Sequence, residues 1–308
     1  MNSDANNPDY PLISVVIPTS GRPSLFRAVE SALAQEEVTV EILAVVNNTE
    51  DLPSFEDPRV KVIDGRATPG QGAARQKGVE NASGSIIALL DDDDFWGPRK
   101  CIEQLRDVQK FAAIDSGNWI ASTGVTIHYP DGRQVLRPRI HDAPVSTIHP
   151  AEYLFIRRTL RRIDNFIQSS SLMFPRRLAL IVPFNTLPDV CTDWGWVIAT
   201  NRDTKCPIIV GAGHRTHYDI SVPGVSRTNR TRMILAWADH MLSDSPRRVI
   251  GDFCATTPLQ VTAHFGDVKG ALAVLRYAYG KGRPGLPATV MAGRNFVRCL
   301  MMNIAKRV

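Results

Sequence analysis

Four consecutive carboxylates, Asp91-Asp92-Asp93-Asp94, follow the unbroken apolar run Ile86-Ile87-Ala88-Leu89-Leu90 without a spacer. Like charges at that spacing repel one another, and burial makes the repulsion worse. Such a cluster is tolerable where water reaches it or where a divalent cation sits among its oxygens. An all-oxygen donor set suits a hard ion, Mg²⁺ or Mn²⁺, that keeps coordination sites for phosphate oxygens. The chemistry to expect is a metal–diphosphate site; the bland alternative is a solvated acidic loop. A further carboxylate, Asp193, lies in Asp189-Val190-Cys191-Thr192-Asp193-Trp194-Gly195-Trp196. An apolar setting beside Trp194 and Trp196 would raise its pKa and make it a better general base. A helix N-terminus there would favour the anion instead, and Asp193 could simply cap that helix. His214 and His217 share an extended segment on which residues three apart face opposite sides, so only one of them can point at an ion.

These groups need a scaffold, and the flanking sequence supplies one. An apolar run without alternation fits a strand buried on both faces of a parallel sheet. Open sheets of that kind bind ligands at the carboxyl ends of their strands, where the four aspartates fall. Leu12–Ile17 and Val40–Val46 are β-branched runs, and Val60–Ile63 is a shorter third strand. Leu25, Val29, Ala32 and Leu33 set a helical stripe between the first two. Gly70-Gln71-Gly72 leads into a helix over Ala73–Glu80, and Pro98 begins another carrying Cys101, Ile102, Leu105, Val108 and Phe111. Strand, helix, strand, strand, helix, strand with right-handed crossovers is a nucleotide-binding arrangement. The glycine turn lacks the Lys-Ser/Thr of a P-loop, which argues against a P-loop NTPase. Downstream, Trp119–Tyr129 reads as a strand and Pro130-Asp131-Gly132 as a hairpin turn into Arg133–Arg137. Phe166–Phe174 reads as a further strand and Cys206–Gly213 as the last.

The 308 residues give room for one large domain with an appendage. No apolar run approaches the roughly 18–20 residues that span a bilayer. The first ten residues are polar, without a signal-peptide core. Five scattered cysteines lack any C-x-x-C pair, so reduced thiols in a cytoplasmic chain are expected. A net charge of +5 and a pI near 9.0 point to anionic partners, nucleotide or lipid phosphate. The basic residues are not interleaved with aromatics, so no nucleic-acid partner is expected.

Ser14-Val15-Val16-Ile17-Pro18-Thr19, Gly72-Ala73-Ala74-Arg75-Gln76-Lys77-Gly78 and Leu89-Leu90-Asp91-Asp92-Asp93-Asp94-Phe95-Trp96 resemble, in order and spacing, the family 2 glycosyltransferases of GT-A fold. The resemblance implies an α/β fold with a mostly parallel central sheet flanked by helices, followed here by a C-terminal helical extension. It also implies inverting sugar transfer from a nucleotide-diphosphate sugar, helped by Mn²⁺ or Mg²⁺. Carried over residue by residue, Asp91 would contact the donor ribose or the metal, and Asp93 would ligate the metal. His217 would approach the metal from the segment that follows the last strand. Pro18, Thr19, Arg22, Asn47 and Asn48 would line the nucleobase pocket, and Arg66, Arg75, Asp92 and Ser170 would complete the donor site. Asp193 matches the family's catalytic base, with Asp189 as the alternative and Thr192 where the family has Glu. Asn47-Asn48 replaces the family's Asp-Asp. An Asn amide still accepts from an imide N–H, so a UDP- or dTDP-sugar is expected over a GDP-sugar; alternatively, Asn48 caps a turn.

The organisation to expect is a flexible N-terminus (1–9), a catalytic domain (10–225) and a helical region (226–308). The catalytic domain would divide into a nucleotide-sugar half (10–118) and an acceptor half (119–225). The last segment, Pro287–Val308, sets Val290, Val297, Leu300, Met301, Ile304 and Val308 on one stripe, with Arg294, Arg298, Lys306 and Arg307 off it. That stripe either packs on the catalytic domain or gives peripheral contact with an anionic membrane. The acceptor would be a hydroxyl-bearing saccharide, lipid-linked sugar or natural product. Two rivals are a catalytically inactive nucleotide-sugar-binding partner subunit and a sugar nucleotidyltransferase. The second fits poorly, because Pro18-Thr19-Ser20-Gly21-Arg22 is not a Gly-rich loop bearing Lys or Arg at the expected place.

Overall fold

The computed structural model describes residues 10–49, 51–67, 70–111, 117–138, 149–160, 165–220 and 228–306. The N-terminal segment 1–9, and Arg307 and Val308 of the terminal stripe, lie outside them. The chain forms two compact units, one from Met1–Ile148 and Phe166–Val222, the other from His149–Asn165 and Pro223–Val308.

In the first unit β1 (Ile13–Thr19) is followed by α1 (Ser24–Leu33), β2 (Val40–Val46), β3 (Val60–Asp64), α2 (Gln71–Asn81) and β4 (Ile86–Leu89). Every residue of β1, β2 and β4 is buried, as expected of β-branched runs covered on both faces. These strands pair in parallel in the order β3-β2-β1-β4, so their carboxyl ends share one edge. The opposite edge is tied by Glu41, whose carboxylate accepts from Ser14 Oγ, Lys61 Nζ and the Ser83 and Gly84 N–H groups. Burial pushes the Glu41 pKa up, but those bonds more than offset it and hold it down at about 2.

β5 (Phe95–Trp96), α3 (Lys100–Lys110), β6 (Ile120–His128) and β7 (Gln134–Arg137) follow, with β6 and β7 joined as the expected hairpin. The chain returns to this unit through β8 (Met173–Pro175) and β9 (Ile208–Asp219). The full sheet runs β3-β2-β1-β4-β8-β6-β9-β5, and β8 sits antiparallel between the parallel pairs.

Two expectations fail here. The strand over Phe166–Phe174 shrinks to β8, because Gln168 and Ser171 close a capping box around a 3-10 turn at Ser169–Ser171. Side chains that bond the local backbone compete with a ladder, and here they win. The last strand does not end at Gly213 but continues to Asp219, pairing with β6 through two register shifts and carrying both histidines into the sheet.

The second unit holds α4 (Pro150–Phe155), and the first holds α5 (Arg176–Ile181) and α6 (Thr192–Thr204). The second unit then continues with α7 (Thr231–Met241), α8 (Arg247–Phe265), α9 (Val268–Gly280) and α10 (Leu286–Ala305). α8 runs unbroken although Pro258 lies inside it. Phe253 packs against Phe155 and Trp237, with ring centroids 4.6 and 5.3 Å away. That buried aromatic cluster outweighs the hydrogen bond lost at the proline. Buried Asp252 accepts from Arg157 N, Gly285 N and Arg248 Nε, so its charge is fully partnered.

Candidate active site

The turn between β4 and β5 places the aspartates at the carboxyl edge of the sheet, and each meets different partners. Asp92 is 2% exposed, accepts from Thr19 Oγ1 at 2.6 Å and pairs with the Arg22 guanidinium. Arg22 also donates to Asp93 Oδ2 at 3.0 Å. Asp94 is fully buried and accepts from Ser170 Oγ (2.6 Å), Gln168 Nε2 (2.7 Å) and Asp219 N (3.1 Å). Burial foremost, then Asp91 and Asp93, push its pKa well up. Asp91 takes the Arg75 guanidinium at 2.8 Å on one oxygen and Gln168 Nε2 at 3.4 Å on the other. Asp92 and Asp94 thus serve the loop itself, whereas Asp91 and Asp93 remain partly open.

Burial, and the negative charge of Asp91 next, lift the Asp93 pKa to about 6 against the pull of Arg22. A carboxylate held near neutrality by a like-charged neighbour is where a cation relieves repulsion, so the donor chemistry fits a hard divalent ion. Among the described residues no three His, Cys, Asp or Glu side chains are arranged to share one ion. The remaining coordination would fall to water and phosphate oxygens, as is usual for Mg²⁺.

The raised pKa carries a testable sign. Folded Asp93 keeps its proton to about pH 6, the unfolded chain only to about pH 4. Its contribution to stability is therefore complete below about pH 4 and lost as pH rises through about 6. In metal-free protein, Asp93→Asn should stabilise by on the order of 2 kcal/mol at about pH 8 and by almost nothing at about pH 4. Urea unfolding at both pH values reads this, and an equal effect at both would contradict it.

Arg75, on α2, is 2% exposed. Besides Asp91 it donates to Ser169 Oγ at 2.9 Å, and Ser169 Oγ in turn donates to Asp193 Oδ2 at 3.4 Å. One guanidinium therefore connects the acidic turn to the first turn of α6. Burial works against its charge, but Asp91 and Asp193 more than compensate and raise its pKa. Asp193 is half-buried, accepts from Trp194 N at 2.9 Å, and has a pKa raised by burial despite the opposing pull of Arg75. Its bond to Trp194 N satisfies one open N–H of the helix, so capping and an elevated pKa coexist. Asp189 is tied differently: it accepts from Gln71 N and Gly72 N and closes the N-terminus of α2. Gly70, at φ 89°, is required there, because a Cβ would lie 2.7 Å from the Asp189 carboxylate.

Of the other expected residues, Pro18 and Thr19 end β1, and the neighbouring turns meet where Gly21 approaches Thr49. Asn47 follows β2, half-buried, with Asn48 exposed beside it. Arg66 is exposed past β3 and pairs with Asp64 at 2.5 Å. Ser170 lies buried under the acidic turn, accepting from Asp91 N at 2.9 Å. His217 stacks on Phe95 with ring centroids 4.4 Å apart, and its Nδ1 is 3.0 Å from His128 Nε2. Burial, His128 and Arg27 lower its pKa, so it stands as a neutral imidazole. His214 engages the Pro138 carbonyl.

Two residues here were missed in the sequence. Gln168 bridges Asp91 and Asp94, hidden in a segment that reads as strand. Tyr218 is half-buried, and burial together with Asp94, Asp93, Asp91 and Asp193 raises the pKa of its phenol. The extension of β9 past Gly213 puts it there, and nothing local announces that extension.

The profile of glycosyl transferase family 2 matches residues 14–180. Succinoglycan biosynthesis protein ExoO of Rhizobium meliloti is 36% identical over 118 residues, 36% of this chain and 34% of that protein. An Escherichia coli protein, UDP-Glc:alpha-D-GlcNAc-diphosphoundecaprenol beta-1,3-glucosyltransferase WfgD, is 29% identical over 103 residues, 32% of this chain and 40% of that one. The chain thus spans between a third and two fifths of these two relatives. Crystalline S. aureus TarS 1-349 in complex with UDP superposes with a TM-score of 0.50 at 13% identity, covering 96% of this chain and 91% of that one. The likeness to TarS establishes a GT-A α/β fold with C-terminal helices, and the profile match shows that the chain belongs to glycosyl transferase family 2.

Proposed function

We propose that the chain is an inverting glycosyltransferase moving a sugar from a UDP- or dTDP-sugar to an acceptor hydroxyl. One observation carries this reading: buried Arg75 is hydrogen-bonded to Asp91 of the acidic turn and, through Ser169, linked to Asp193, whose pKa burial raises. Asp193 takes the proton of the acceptor hydroxyl as that oxygen bonds to the anomeric carbon. The bond from that carbon to the diphosphate breaks, and its electron pair leaves with the phosphate. A single displacement inverts the centre. Arg75 orients Asp91 and offers its charge to the leaving side. A divalent Mn²⁺ or Mg²⁺ held by Asp91 and Asp93 would supply Lewis-acid stabilisation of the departing diphosphate.

The relative that uses UDP-Glc and the neighbour crystallised with UDP both support a uridine donor. The diphosphoundecaprenol in the relative's name supports a lipid-linked sugar as acceptor. Such an acceptor would bring the chain to a membrane surface.

A thermal-shift panel tests the donor. UDP or dTDP should raise the melting temperature, more so with Mn²⁺, by the equivalent of about 2.7 kcal/mol at a hundredfold excess over Kd. GDP should do markedly less. Equal shifts with all three, or none with any, would overturn the donor reading.

A further inference from the structure

The final helix is built inside out. The face of α10 that is buried carries small residues, Ala288, Ala292 and Cys299. Its large apolar residues point outwards: Leu286, Val290, Val297, Leu300, Met301 and Ile304 are all exposed, Leu286 by 77%, Met301 by 66% and Ile304 by 64%. At helical spacing these six fall within an arc of about 100°, a continuous apolar stripe. Gly293 lies on the same stripe, with open space where its Cβ would be. The helix is roughly 30 Å long at 1.5 Å per residue, and the stripe runs its whole length. Neighbouring α9 exposes Leu272 and Tyr279 as well, and the Tyr279 hydroxyl donates to Thr289 of α10.

Charge identifies the occupant. From Val268 to Lys306 there is no Asp or Glu, while Lys269, Arg276, Lys281, Arg283, Arg294, Arg298 and Lys306 are all exposed. Lys281 pairs with Asp239; the others have no carboxylate pairing shown among the described residues. Arg294 and Arg298 flank one edge of the stripe. A second copy of the chain is a poor fit, because a two-fold contact would bring the same cations face to face with no acid on either helix to separate them. No helix among the described residues is long and apolar enough to cross a membrane. The stripe can therefore lie along a bilayer but not through it.

We propose that α10, with the basic residues of α9 and the α9–α10 turn, is a docking surface for an anionic lipid bilayer. The helix rests in the interface with its apolar stripe among the acyl chains and its arginines at the headgroups. That the docked membrane carries the acceptor rests on the transferase reading above; the docking itself does not.

Flotation of the full chain with phosphatidylcholine vesicles, with and without phosphatidylglycerol, tests this directly. The protein should float with the anionic vesicles at low salt, at least about tenfold less with phosphatidylcholine alone, and be released by salt. Val297→Glu with Met301→Glu should reduce flotation by a similar factor, while urea unfolding and the UDP-induced thermal shift stay unchanged. Wild-type protein left behind by anionic vesicles would overturn the proposal, as would a double variant that floats equally well. So would sedimentation showing a wild-type dimer that the double variant cannot form, since the stripe would then be covered by a second copy. A chain that floats but transfers no sugar sinks the transferase reading and leaves the docking surface standing. One that transfers to a soluble acceptor yet never floats does the reverse.

Discussion

Asp193→Asn should lower kcat for sugar transfer by about 10²–10⁴-fold and leave UDP affinity within about threefold of wild type. The split follows from the geometry. Asp193 accepts from Trp194 N on Oδ1 and from Ser169 Oγ on Oδ2; an Asn amide oxygen keeps the first bond, and its NH₂ donates to Ser169 Oγ in place of accepting from it. What it cannot do is take a proton. The fold should hold equally well, because a carboxylate whose pKa is raised by burial is already costly to keep charged at that place. Transfer should also fall as pH drops through the raised pKa of Asp193, since only the anion is a base. The variant should lose that limb of the profile together with the rate. Wild-type turnover in Asp193→Asn would move the base elsewhere. Asp189 would be a poor substitute, because its carboxylate is committed to the N–H groups opening α2.

Those two carboxylates show what can be read from sequence and what cannot. The parallel half of the sheet was legible: β1, β2 and β4 are short β-branched or apolar runs, and burial on both faces is the condition such runs satisfy, whereas β3, with Lys61 and Asp64 exposed, is the edge strand. The acidic turn was legible for the same reason, since it ends one of them. How the four aspartates divide their work was not. Asp92 and Asp94 are held by Arg22 and by Gln168, residues 70 and 74 positions away, and such pairings are a product of topology. Local chemistry also misled. Phe166–Phe174 carries apolar residues suited to a strand, yet three serines after Gln168 offered the backbone closer partners, and the resulting turn delivers Ser169 and Ser170 to the site. The apolar stripe near the C-terminus was visible as a pattern, but which face of the helix it would turn towards the core depended on Ala288, Ala292 and Cys299, whose small size allows close helix packing.

Arg75→Met should cost about 3–5 kcal/mol of stability near neutral pH and at least as much catalytic power as any single donor. Arg75 is the one described cation shown hydrogen-bonded to Asp91 and, through Ser169, linked to Asp193, and it is almost completely shielded from water. Removing it leaves two half-buried carboxylates without their cation, and a charge orphaned in a partly desolvated site costs more than the pair was worth. The pH dependence separates this from a simple packing defect. Without Arg75 the pKa of folded Asp193, already raised, rises further, because the main opposing influence has gone. The variant's deficit should therefore shrink as pH falls and Asp193 takes up its proton, and widen as pH rises through the new value. A packing defect would show the same deficit throughout. Arg75→Lys keeps the charge but not the fork that reaches Asp91 and Ser169 together, so it should recover part of the stability and less of the activity. Adding Asp193→Asn to Arg75→Met should return some of the lost stability, a coupling of about 0.5–3 kcal/mol. If the double variant were instead less stable by the sum of the two single effects, Arg75 and Asp193 would not share a network, and the link from the acidic turn to the base would be broken.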